Sequence, residues 1–177
     1  MRNNTHRDYF FSADWHAGHR NILKYCDRPF ATVDEMNHAL ITNHNEVVGV
    51  DDYFIHVGDF TLASTAYAED IIRQLNGQKI FLVGSHDYWM TTKVKHVWEK
   101  QIENEHLFAS HYPHHSWPRS HYNSWHIFGH HHGSLKLDGK RYDVGVDNNN
   151  YYPVSFNTLK GIMSAAGNNF GLVKTRY

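Results

Sequence analysis

Five short polar clusters carry the side chains in this sequence best suited to chemistry. They are Asp14-Trp15-His16, Gly58-Asp59, Gly84-Ser85-His86-Asp87, Ser110-His111-Tyr112-Pro113 and Gly129-His130-His131-His132-Gly133. Carboxylate and imidazole donors without thiolate form a ligand set for divalent metals such as Mn, Fe, Ni, Co or Zn. At an extended strand end, residues two apart project to the same side. Asp14 and His16 can then share one ion, and so can His130 and His132, with His131 turned away. The flanking glycines permit tight turns or close backbone approach. His86 before Asp87 suits an imidazole oriented by a carboxylate and able to protonate a leaving oxygen. Each cluster alone also reads as a polar turn, or as histidines satisfied by hydrogen bonds. Seventeen histidines, not gathered at a terminus, add weight to the metal reading.

The elements that must position these clusters follow from hydrophobic spacing. Residues 8–14 read as a buried strand delivering Asp14, and 53–57 as a second strand running into Gly58-Asp59. Strands over 79–83, 107–110 and 125–128 run into the other three clusters, and 141–146 is a late strand. Helices are expected over 33–48, with Thr32 as N-cap and Glu35 as its capping-box partner, and over 66–75, stopped at Asn76-Gly77. A further helix is expected over 94–102, and a last one from the cap Ser155 to residue 166. Open α/β sheets bind ligands outside the carboxyl ends of their strands. Five strands ending in Asp, His, Gly and Ser should therefore bring distant clusters to one edge.

The order of these clusters resembles the calcineurin-like metallophosphoesterase family, whose pattern runs D-x-H, G-D, G-N-H-D or G-N-H-E, H, and G-H-x-H. Gly18-His19-Arg20-Asn21-Ile22 and Arg28-Pro29-Phe30 further resemble a compact branch of that family without a large cap. The resemblance implies an α+β, four-layer sandwich: two mixed β-sheets packed face to face, flanked by helices, with the metal site at strand C-terminal ends. It implies two divalent ions, manganese foremost. Asp14, His16, Asp59 and His132 would hold the first, and Asp59, His111 and His130 the second. A metal-activated hydroxide would attack phosphorus, with His86 as general acid oriented by Asp87, and His19, Asn21 and Arg28 would meet the substrate phosphate. The family's asparagine ligand is Ser85 here, a shorter and poorer donor, which predicts weaker or more selective filling of the second position.

Composition bounds the rest. The 177 residues fit a single domain, 1–177, and 41% hydrophobic content excludes disorder. A net charge of −1 supplies no broad basic field, so small phosphate esters are favoured over long nucleic acid. A nuclease using a local patch of Arg20, Lys24, Arg28, Arg119 and Lys136 is the alternative enzyme, and a noncatalytic metal module is the alternative class. Trp15, Tyr88, Trp89, Tyr112 and Trp117 are candidates to stack on a nucleotide base, with core packing as their plainer role. The single Cys26 excludes an internal disulfide, and no apolar run spans a membrane, so a cytoplasmic protein is expected. The residues leave oligomeric state open.

Overall fold

The computed structural model describes residues 7–173. Strands β1 (Tyr9–Ser12), β2 (Tyr53–Val57) and β3 (Gln78–Leu82) run parallel, in the order β3-β2-β1. The short β8 (Val154–Ser155) pairs antiparallel with β1 to complete this first sheet. The second sheet has the order β4-β5-β6-β7, with β4 (Val97–Ile102), β5 (Glu105–Ser110), β6 (Trp125–Phe128) and β7 (Arg141–Asp143). Its β4–β5 pair is antiparallel and the others are parallel. Together with helices α1 (Ile22–Tyr25), α2 (Val33–Val47), α3 (Thr65–Gln74) and α4 (Phe156–Ala165), this is an α+β fold on two mixed four-stranded sheets.

Alternation along the strands divides the core. Phe11, Ile55 and Val57 join Leu107, Ala109 and Ile127 of the second sheet in one buried cluster. Phe10 and Phe54, on the opposite face, join Met36 and Leu40 of α2 and Ala68 and Ile71 of α3 in another. Helix starts follow their capping side chains. Thr32 Oγ1 accepts the Glu35 N–H at 3.1 Å, and Ser155 Oγ accepts the Thr158 N–H at 3.1 Å. The Glu35 carboxylate reaches back to the Ala31 N–H at 2.8 Å, one residue before the cap.

The helix expected over 94–102 is instead β4, which forms a hairpin with β5 in the register Ile102↔Glu105. The series Trp98, Lys100, Ile102 has period two, and the lysine in its middle hides it. Lys100 shares the face of Trp98 and Ile102 but stays exposed, with its ammonium 5.4 Å from the Tyr9 ring and 5.6 Å from the Tyr53 ring. Glu103, with φ 52°, closes the hairpin. The late strand stops at Asp143, and a 3-10 turn, Val146–Asn148, follows.

His56 on β2 is fully buried among Trp15, Phe60 and Phe81, and neither ring nitrogen has a hydrogen-bond partner among the described residues. Burial holds its pKa well below the ordinary value of 6.5. The fold therefore refuses a proton that the unfolded chain accepts once the pH drops through about 6.5, and stability falls with falling pH. For one such group the loss reaches about 2 kcal/mol by about pH 5. Relative to His56→Leu, the wild type should lose that amount between neutral pH and about pH 5 in denaturant titrations. Parallel stability curves for the two proteins would refute this account.

Candidate metal centre

Every expected cluster lies at the carboxyl end of its strand: Asp14 beyond β1, Asp59 beyond β2, Ser85 to Asp87 beyond β3, His111 beyond β5, and His130 to His132 beyond β6. The first two exits are zipped together by backbone. The Asp14 N–H donates to Gly58 O and the His16 N–H to Asp59 O, each at 3.0 Å. The chain here is not extended as expected. Asp14, His16, Asp59, His130 and His132 all have positive φ, between 48° and 73°. Asp and His are among the side chains that tolerate this left-handed region, at a cost of about 1–2 kcal/mol per residue. The kinks turn the alternate residues of each motif onto one focus. Close approach also demands glycine: a Cβ on Gly84 would overlap the Asp59 carboxylate, and one on Gly129 would stand 2.8 Å from Asp14 Oδ2.

Four groups of donor atoms close to within 4.8 Å among the described residues. Two are the expected Asp14, His16 and His132, and Asp59, His111 and His130; the others are His16, Asp59 and His86, and Cys26, His132 and Asp147. Asp59 joins the two expected groups, since its Oδ2 is 3.6 Å from His16 Nε2 and 3.3 Å from His111 Nε2. His86 Nε2 stands 3.9 Å from the same oxygen, with its side chain partly open to the cleft. The donors fit cations. Both ring nitrogens of His16 and Nε2 of His111 are buried without a hydrogen-bond partner among the described residues, although carboxylates lie beside them. His111 Nδ1 is 3.0 Å from Val57 O, which leaves Nε2 as the free lone pair when Nδ1 carries the proton. Acceptors gathered this closely are costly unless a positive charge sits among them.

Charge follows the same logic. Asp14 is 0% exposed, and burial pushes its pKa up to about 7 against the pull of His132 and His111. Burial also drives His16 down to about 3, despite nearby Asp59. For Asp59, burial favours the neutral acid, but His111, the His86 N–H and His16 outweigh it and hold the carboxyl below the usual range. Ser85 Oγ turns toward this carboxylate, 3.0 Å from Oδ2, and the His86 N–H donates to Oδ1 at 2.9 Å.

Three expected roles change. Arg28 was expected to meet phosphate, yet its guanidinium is buried and all five donors are used. They go to Asp147 Oδ1 and Oδ2 at 2.7 and 2.8 Å, to the carbonyls of Asp14 and Trp15 at 2.7 and 2.8 Å, and to Met36 Sδ at 3.2 Å. Asp87 was expected to orient His86. Its oxygens instead accept N–H groups from Asp59, Phe60, Thr61 and Gly84 and the indole N–H of Trp89, tying two strand exits together. Asn21 is exposed outside the cleft lining, at the start of α1, whereas His19 does line the cleft. Of the stacking candidates, Trp15 and Trp117 are core residues, Tyr88 and Tyr112 are exposed, and Tyr112 lies edge-on to His111 and His130.

Asp147 and Asp143 belong to the site and were not expected. Asp147 Oδ2 is 2.6 Å from His132 Nδ1, so it orients a ligand imidazole while holding Arg28. Asp143 accepts the N–H groups of Gly133 and Gly145, each within 2.9 Å, and so fixes the loop after His132. The signal was the one used elsewhere: β7 also ends in an Asp- and Gly-rich stretch, Asp143-Val144-Gly145-Val146-Asp147.

Over 162 residues the chain is 32% identical to the uncharacterized protein MJ1445 of Methanocaldococcus jannaschii, covering 86% of this chain and 89% of that one. This chain belongs to the same family. No protein-family model matches it. The crystal structure of AQ665, a protein of unknown function from Aquifex aeolicus, has a TM-score of 0.72 at 21% identity, covering 89% of this chain and 100% of that one. The two share a fold. A weaker likeness, with a TM-score of 0.44 and 13% identity, covers 78% of this chain and 71% of a predicted phosphoesterase from Streptococcus pneumoniae TIGR4. In this family's fold, the motifs that resemble the calcineurin-like metallophosphoesterases stand at the strand ends that the resemblance implies.

Proposed function

We propose that this protein hydrolyses phosphate esters, as a phosphodiesterase or phosphatase of small, nucleotide-type substrates, with two divalent cations as cofactors. The observation that carries this reading is the convergence of Asp14, His16 and His132 with Asp59, His111 and His130 around one carboxylate. When bound, the cations would supply Lewis acidity for the phosphoryl oxygens and lower the pKa of the attacking water. Manganese is the first metal to test, with iron, nickel, cobalt and zinc also suited to these donors.

The chain's own groups do the rest. Asp59 is kept ionised by His111, the His86 N–H and His16, and Ser85 Oγ and the His86 N–H aim it. His86 faces a cleft of about 340 Å³ that it shares with His16, His19 and Asp59. From there its protonated ring can give Nε2–H to the leaving oxygen as the P–O bond breaks and water supplies the new P–OH. The products are an alcohol and a phosphate with one fewer ester bond. Among the described residues no lysine or arginine lines this cleft or the one adjoining it, which supports small substrates over long nucleic acid. No described helix is long and apolar enough to cross a membrane. With the single free Cys26, this supports a cytoplasmic setting.

The test is metal analysis joined to a substrate panel, with His86→Ala beside the wild type. On thymidylyl-thymidine, whose leaving alkoxide needs a proton, turnover should fall about a hundredfold or more. On a nitrophenyl diester, whose leaving group departs unprotonated, the loss should be far smaller, and metal content should stay unchanged. Equal effects on both substrates would remove His86 from the proton-donor role, and a wild type inactive with every metal would defeat the hydrolytic reading.

A further inference from the structure

The space in front of the metal ligands is divided. One lobe, about 340 Å³, holds Asp59, Ser85 and His86; the other, about 460 Å³, extends past His131, Ser134 and Asp147. Tyr25, Cys26, His130 and His132 line both, so one candidate ligand from each group, His132 and His130, lies on the shared wall, while His16 and Asp59 line the smaller lobe. Tyr25 stands at the end of α1, its N–H bonded to Asn21 O at 3.0 Å and the helix anchored by buried Ile22. The residue is nonetheless 73% exposed, with the His19 ring 6.2 Å away between centroids and tilted 71° to it. A backbone-fixed aromatic ring left open beside a reactive centre is a ready stacking surface.

We propose that Tyr25 and the larger lobe form a subsite for the retained substituent of a phosphodiester, and that this substituent is an uncharged, ring-bearing group of nucleoside type. The proposal rests on the hydrolytic reading and adds a direction to it. His86 lines only the smaller lobe, so the leaving group must depart on that side and the retained group must occupy the other. A monoester would fill one lobe; two lobes meeting at the phosphate position suit two substituents. The retained arm is not a second phosphate, because among the described residues its lobe offers no lysine or arginine and carries the Asp147 carboxylate. The Tyr25 ring supplies the stacking face, and His131 remains to meet sugar and base polar groups.

The experiment compares two diesters with the same leaving group: thymidine 5′-(4-nitrophenyl phosphate) and methyl 4-nitrophenyl phosphate. In Tyr25→Ala, KM for the thymidine ester should rise about tenfold while kcat stays within about twofold and the methyl ester is unaffected. Tyr25→Phe, which keeps the ring, should behave as wild type. Equal changes on both esters, or none on either, would overturn the subsite. A wild type that cleaves neither ester would count against hydrolysis, and the subsite would then be judged by binding of thymidine 5′-monophosphate in saturation-transfer NMR. Binding lost in Tyr25→Ala would support it, and binding equal in the two proteins would overturn it.

Discussion

Asp59→Asn should abolish most of the activity, lowering turnover about 10⁴-fold, and should purify with less metal than the wild type. The amide has nearly the shape of the carboxylate, and its oxygen can still accept the His86 N–H that now reaches Oδ1 at 2.9 Å. Folding should therefore survive while the negative charge is lost. That charge is the one placed against both ligand groups, 3.6 Å from His16 Nε2 and 3.3 Å from His111 Nε2. Without it, two divalent ions would face each other across a neutral group, and the mutual repulsion that a shared carboxylate offsets would fall on the remaining ligands. Metal-to-protein ratio by elemental analysis and turnover on a nitrophenyl diester check the two halves of the prediction. A variant keeping wild-type metal and rate would show that Asp59 does not join two cations.

How far the sequence could be read depended on the range of the forces involved. Strand exits are local: a run such as Trp125–Phe128, apolar but for His126, ends where Gly129 begins, so its bounds match the expectation. The six candidate ligands were legible as a set for the same reason, each being a His or Asp at such an exit, and the fold brings them into two groups. Backbone hand was not legible. An alternation like Asp14-x-His16 reads as extended, and the positive φ at both ends arises from the zip to Gly58 and Asp59, far away in sequence. Val97–Ile102 reads as helix because Lys100 interrupts its period-two series, and the Tyr9 and Tyr53 rings that meet the ammonium lie on another sheet, which no local pattern encodes. Arg28 and Asp87 were given contacts with substrate and catalyst because chemistry-bearing residues beside a motif invite that reading. In the fold their charges meet backbone N–H and C=O groups of neighbouring loops instead. Such supports pair residues more than a hundred positions apart, as Arg28 and Asp147 do.

That last pair sets the largest stability effect. Arg28→Met should cost about 3–5 kcal/mol, because it strands a buried carboxylate and two carbonyls that the guanidinium now satisfies. A domain of ordinary stability, about 5–15 kcal/mol, would be left marginal, visible as a large drop in the denaturant midpoint. Replacing both partners, in Arg28→Met with Asp147→Leu, should recover part of this loss, since apolar residues of similar volume fill a vacated ion pair without stranded charge. Function should not recover with it. His132 would have lost the carboxylate 2.6 Å from its Nδ1, and the Asp14 loop its bond from Arg28 at 2.7 Å. Metal affinity should stay about 10–100-fold weaker in the double variant than in the wild type. The buried network would then be an orienting device for two metal ligands, retained although an apolar filling is nearly as stable. If the double variant regained metal affinity along with stability, Arg28 and Asp147 would be packing residues only, and the alignment of His132 would come from its own loop.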